Sequence, residues 1–110
     1  MTGEEFVKLC FEEKEAILEA YFGSDTQTEV GSRIRDLIQS GANQDALYRL
    51  LDLVMKENYY MLLLALDGET SLGGKQIAYK LYDEENNLLN QCGEIEMAAY
   101  HYFMEAKEAD

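Results

Sequence analysis

Apolar and polar residues alternate along the first part of the chain with the period of an amphipathic helix. Across residues 3–22 apolar side chains recur every three or four positions, and Thr2 and Glu5 stand at the spacing of a capping box at their start. At about 100° per residue, five glutamates fall on the side away from the apolar stripe. They are Glu4, Glu5, Glu12, Glu15 and Glu19. The pattern predicts a first helix with an acidic flank.

Two further helical patterns follow. Thr26 and Glu29 repeat the capping-box spacing at the start of the second pattern, which Gly41 closes. Asn43 can cap the third pattern, whose apolar stripe extends to Asn58. The chain is therefore expected to begin with three successive helices.

The apolar run at residues 59–66 has no period of its own, so it is compatible either with a continuation of the third helix or with a buried strand. We favour a central strand, because the run is short and is bounded by Asn58 on one side and by Asp67 and Gly68 on the other. The segment that follows supports this interpretation, since it has the clearest strand pattern in the chain.

In that segment, residues 77–82, Ile77, Tyr79 and Leu81 alternate with the other side chains, as a sheet with one buried face requires. The polar cluster at residues 83–87 predicts a hairpin loop that leads into a short strand at 88–90. Residues 94–106 again have helical spacing. The predicted fold is therefore α+β, with three N-terminal helices, a three-stranded antiparallel meander and a C-terminal helix, in the order ααα-βββ-α.

Composition indicates a folded and strongly acidic protein. The 110 residues include 22 Asp and Glu against 9 Lys and Arg, for a net charge of −13, yet 47% of them are hydrophobic, too many for a disordered acidic tail. The length predicts a single domain spanning residues 1–110. No apolar run approaches the roughly 18 residues of a membrane span, and the first residues do not have the pattern of a signal peptide. We therefore expect a cytoplasmic protein without a membrane partner.

Two groups of residues resemble ligand-binding motifs without matching them. The glycine-rich residues 68–75 have Glu69 where a phosphate loop needs glycine, and Gln76 where it needs serine or threonine. Asp83, Glu85, Asn87 and Glu94 have the spacing of a calcium loop, but Leu88 stands at its glycine position. The first group is interpreted as a flexible loop and the second as a solvated hairpin tip.

The candidate catalytic side chains are sparse. His101 is the only histidine, which is too few for a two-histidine metal site, and no serine or cysteine nucleophile motif accompanies it. Cys10 and Cys92 lie far apart in the sequence and are interpreted as reduced, partly buried thiols. We therefore predict no catalytic residue, no metal and no cofactor, and a protein that is not an enzyme.

The acidic charge is concentrated at the two ends of the chain. Residues 1–22 have a net charge of −4 and residues 83–110 one of −7, whereas residues 23–82 have only −2. If the first helix, the hairpin and the last helix lie side by side, they form one acidic face. The tyrosines in the C-terminal part, with their rigid apolar rings and polar tips, are suited to anchor a partner on it. The predicted binding residues are Tyr82, Asp83, Glu84, Glu85, Glu94, Glu96 and Tyr100.

An acidic face of this kind attracts cationic surfaces and repels nucleic acid and anionic membranes. The leading functional hypothesis is a small inhibitor, such as a bacterial immunity-type protein, that neutralises a basic partner such as a nuclease toxin. One alternative is a self-associating structural or interaction module that forms a homodimer. A second is a carboxylate-based enzyme, which requires a deep pocket lined by acids.

Overall fold

The computed structural model describes residues 1–91 and 93–105, and these residues form a helical assembly. Among them, no helix combines the length and the apolarity that crossing a membrane requires. The helices are α1 (Gly3–Tyr21), α2 (Glu29–Gln39), α3 (Gln44–Leu66) and α4 (Glu94–Ala99), and α4 continues directly into a π-helical segment (Tyr100–Glu105).

Side-chain caps define where the first two helices begin. The predicted capping box of α1 is confirmed, because the Thr2 hydroxyl accepts from the Glu5 N–H at 3.1 Å and the Glu5 carboxylate accepts from the Thr2 N–H at 2.9 Å. The predicted cap of α2 is wrong by two residues. Thr28 caps this helix by accepting from the Gly31 N–H at 2.9 Å, while the Thr26 hydroxyl is hydrogen-bonded to that of Thr28 at 3.0 Å.

Helix α3 overturns the predicted central strand at residues 59–66, because it runs without a break from its Asn43 cap to Leu66. The run begins with two tyrosines, which are common in strands, but its other six residues are leucine, methionine and alanine, and none of the eight is β-branched. These six residues favour a helix. An asparagine in the interior of a helix reduces the stability of that helix by only a few tenths of a kcal/mol, about as much as other polar residues do. Asn58 therefore does not end α3. The alternative in which the third helix continues through this run is the one observed.

The predicted three-stranded meander, and with it the α+β fold class, is wrong, since no sheet occurs in residues 1–91 and 93–105. Residues 77–82 lack a neighbouring strand to pair with, because the preceding run is helical. Only two isolated antiparallel bridges are present in the described residues, between Leu72 and Lys75 and between Tyr82 and Leu88. The second bridge closes the predicted turn at residues 83–87 without extending into a ladder.

The side chain of Asn90 takes the place of a β-ladder in this region. Its amide nitrogen donates to the carbonyl oxygens of Leu66 and Tyr79 at 2.8 and 2.7 Å, and its amide oxygen accepts from the Leu81 N–H at 3.0 Å. One partly buried side chain therefore joins the end of α3 to the extended segment that precedes α4.

The core lies where α1, α3 and α4 meet. Tyr59 of α3 stacks on Phe103 of the π-helical segment, with ring centroids 5.7 Å apart, and Phe11 of α1 meets the same ring edge-on at 5.5 Å. Helix α2 packs against α1, outside this core. The predicted C-terminal helix is confirmed as far as Glu105. The buried core residues are Val7, Leu63, Ile95, Ala98, Ala99 and Phe103.

Candidate functional site

The start of α1 contacts both the turn at residues 83–87 and the start of α4. The amino group of Met1 lies 3.0 Å from a carboxylate oxygen of Asp83. The backbone N–H of Glu4 donates to the carboxylate of Glu94 at 3.3 Å. The two acidic ends of the chain are therefore in contact.

Within the turn, Asp83 has a structural role. Its carboxylate accepts from the Asn87 side-chain amide at 3.0 Å, from the Asn87 N–H at 2.9 Å and from the Glu85 N–H at 3.0 Å. The hydrogen bonds from Asn87 are the main reason why the pKa of Asp83 lies far below its ordinary value. Tyr82, Glu84 and Glu85 are exposed around it and remain free to meet a partner.

Helix α4 and the π-helical segment that follows it each present one large side chain to solvent. Met97 on α4 is 72% exposed, and Tyr100 on the π-helical segment is also exposed. By contrast, Ile95, Ala99 and Phe103 on the same two elements are buried. An exposed methionine and tyrosine one turn apart form an adaptable apolar strip with a polar tip, which suits protein recognition.

A groove of about 240 Å³ lies between this strip and the start of α1. Its walls combine the carboxylates of Glu4 and Glu94 with the side chains of Met97 and Ala98. His101 and Tyr102 complete the lining. A lysine or arginine side chain matches this chemistry, because its aliphatic stem can lie on the apolar wall while its charged head meets the carboxylates.

More negative charge lies on the other side of the strip. The Glu96 N–H donates to the Asp67 carboxylate at 2.8 Å, which ties the end of α3 to α4. A hydrogen bond with the Glu69 side chain raises the pKa of Glu96, because two neighbouring carboxyl groups share a proton more readily than they carry two charges. Burial, Glu96 and Tyr100 together raise the pKa of Tyr60, which places all three residues in one neighbourhood.

We call this surface the acidic ridge. It consists of the exposed apolar strip formed by Met97 of α4 and Tyr100 of the π-helical segment, together with the carboxylates on the two sides of this strip. Its residues are Glu4, Glu69, Glu94, Glu96, Met97 and Tyr100.

The structure brings three of the predicted binding residues, Glu94, Glu96 and Tyr100, onto the acidic ridge. Glu84 and Glu85 lie on the adjoining turn, and Tyr82 directly precedes it. The Met1–Asp83 contact holds this turn beside the start of α1. Sequence reasoning missed Met97 and Glu69. Met97 could have been found, since it is a large apolar residue that falls off the buried stripe of its own helix.

Two other kinds of chemical group bear on function, namely metal ligands and thiols. Among the described residues, no group of three or more His, Cys, Asp or Glu side chains has a geometry that could hold a metal ion. Cys10 is partly buried, as expected, and burial raises the pKa of its thiol, which makes it less reactive. Cys92 lies outside the described residues, so the expectation for that thiol stays a prediction.

Comparison with known proteins supplies no relative from which a role could be transferred. No protein-family model matches the chain, and neither a curated protein nor a solved structure shows significant similarity to it.

Proposed function

We propose that this protein is a small acidic binding module of the inhibitor or immunity type, which neutralises a basic partner protein by covering its cationic face. A nuclease toxin is the kind of partner that fits, because a surface that binds nucleic acid is necessarily cationic. The observation that carries the proposal is the contact of the chain's two acidic ends beside an exposed apolar strip.

The net charge of the chain, the exposed apolar strip and the groove each have a distinct role in this proposal. The field of a chain with a net charge of −13 accelerates the encounter with a cationic partner. Met97 and Tyr100 then exclude water and anchor the complex, which slows its dissociation. The groove beside Glu4 and Glu94 accepts a lysine or arginine side chain from the partner.

The small volume of the groove favours the binding of a protein side chain over the binding and conversion of a small-molecule substrate. Pockets for small molecules commonly measure about 300–1,000 Å³ and bury most of their ligand. The groove at the acidic ridge is smaller, at about 240 Å³. It suits one side chain of a protein partner better than a free substrate.

The proposal is tested by capture and inhibition. The purified full chain is immobilised, exposed to an extract of its native cells, and eluted with a salt gradient. We expect a basic protein that elutes as salt rises and whose activity on nucleic acid is lost when the chain is added back. Recovery of no basic protein, or of one whose activity is unaffected by the chain, would contradict the proposal.

A further inference from the structure

In the part of the chain that the structure describes, residues 1–91 and 93–105, no other element covers the outer face of helix α3. Leu50 is 57% exposed and Met61 49% exposed, and Leu53 and Val54 are exposed between them. With 3.6 residues per turn, positions 50, 53, 54, 57 and 61 fall on one side of the helix, over a length of about 16 Å. We call Leu50, Leu53, Val54, Glu57 and Met61 the α3 stripe.

A single carboxylate stands in the middle of this apolar surface. Glu57 lies seven residues after Leu50 and four before Met61, and its side chain is exposed. Any helix laid along the stripe covers Glu57, and covering a charge is costly unless the other side supplies its opposite.

This carboxylate argues against a second copy of the chain as the occupant. If two copies pair in parallel about a twofold axis, Glu57 meets Glu57 of the second copy. If they pair antiparallel with full overlap of the stripe, Glu57 faces the apolar Val54 and lies only three positions, about 4.5 Å along the helix axis, from Glu57 of the second copy. Like charges placed together at an interface cost several kcal/mol, and each copy also carries a net charge of −13.

We propose that the α3 stripe docks an amphipathic helix of another protein, with apolar residues at three- and four-residue spacing and a central lysine or arginine that pairs with Glu57. Helices commonly bind in this way, with anchors at positions i, i+3 or i+4, and i+7. The inference goes beyond the function proposed above, since it uses a different face of the molecule and none of the acidic ridge.

Two synthetic helical peptides of about 18 residues test whether the α3 stripe docks such a helix. Both carry the same leucine stripe, and they differ only in a central lysine or glutamate. Fluorescence anisotropy with the full chain at physiological salt should show that the lysine peptide binds at least about tenfold tighter, as expected for a covered ion pair. Glu57→Lys should reverse that order, whereas Asp36→Lys, the same change of charge on α2, should leave it unchanged.

A second experiment removes apolar side chains from the α3 stripe. Leu50→Ser combined with Met61→Ser should weaken binding of the lysine peptide at least about tenfold, because both anchors are lost. Leu37→Ser is the matched control, since Leu37 is 50% exposed on α2. The variant Glu4→Lys with Glu94→Gln should bind the peptide normally, which separates this inference from the proposed function.

Three results would overturn the inference. The first is equal binding of the two peptides to the wild-type chain, and the second is a preference that survives Glu57→Lys. The third comes from analytical ultracentrifugation at pH 7: if the chain forms a dimer that Leu50→Ser abolishes, a second copy is the occupant.

Discussion

Lys14 of α1 and Asp52 of α3 form an ion pair of 2.7 Å, in which the lysine side chain is completely buried. Lys56 holds the other carboxylate oxygen of Asp52 at 3.0 Å, and the Lys14 ammonium also lies 4.8 Å from the centre of the Phe11 ring. Burial alone would raise the pKa of Asp52, but the hydrogen bonds from Lys14 and Lys56 lower it below its ordinary value. The pair links the two longest helices through buried charge.

The two partners of this pair should respond differently to substitution. Asp52→Ala leaves the Lys14 ammonium buried with only Glu15 nearby, so we expect a loss of about 3–5 kcal/mol in the free energy of unfolding. Lys14→Met keeps the volume and removes the charge, while Asp52 keeps Lys56, so the expected change is within about 1 kcal/mol. Urea unfolding followed by circular dichroism measures both. Equal losses in the two variants would show that burial of the ammonium is not what matters.

The side chain of Asn90 should be essential to the connection between α3 and α4. Asn90→Ala removes three hydrogen bonds and leaves the Leu66 and Tyr79 carbonyls unpaired, for an expected loss of about 2–4 kcal/mol. Asn90→Asp should not restore stability, because a carboxylate cannot donate to those carbonyls. Asn58→Ala, on the exposed face of α3, is the control and should change the free energy of unfolding little. Full stability of Asn90→Asp would contradict this role.

The turn at residues 83–87 should make stability depend on acidic pH through Asp83. Because the folded-state pKa lies below the ordinary value of 3.8, the contribution of Asp83 is present above that pH and is lost as pH falls toward the folded pKa. Asp83→Ala should therefore lower the melting temperature at pH 6 and reduce the fall in melting temperature between pH 4 and pH 2. A variant that follows the wild-type curve at every pH would refute the assignment.

The neighbouring carboxyl groups of Glu69 and Glu96 should make the stability of the fold depend on pH in the opposite sense to Asp83. The folded-state pKa of Glu96 lies above its ordinary value of 4.5, so the native state binds the extra proton and its stability falls as pH rises through the folded pKa. Glu96→Gln removes the repulsion and should raise the melting temperature at pH 7. Glu84→Gln, on the exposed turn, is the control for a simple change in net charge. A lower melting temperature for Glu96→Gln would mean that its carboxylate stabilises the fold.

Those parts of the fold that depend on local contacts could be predicted from the sequence. The capping residues Thr2 and Asn43 act on amides three positions away, so their spacing is visible in the chain. For residues 59–66 the local signals conflict, because the lack of β-branched side chains favours a helix whereas the flanking Asn58 and Asp67 are typical of strand ends. Asn90 could not be predicted, because its partners are as many as 24 positions away and no pattern relates them.

The candidate site was predictable to a similar extent. The charge map of the sequence indicated which segments are acidic, and the contact of Glu4 with Glu94 shows that α1 and α4 bring two of them together. Glu69 was not expected at this surface, because its position depends on α3 continuing to Leu66. The carboxylate of Asp83, a predicted binding residue, also accepts three hydrogen bonds within its own turn, and no sequence pattern distinguishes such an aspartate from one without these bonds.

The rate of association with the basic partner tests the central claim most directly. Glu4→Lys combined with Glu94→Gln changes the charge of the acidic ridge by three, and Asp36→Lys combined with Glu19→Gln makes the same change elsewhere. Stopped-flow measurements at low salt should show association slowed at least about tenfold for the first variant and about twofold or less for the second. Equal slowing in both variants would contradict the claim, because it would mean that only the total charge of the chain matters.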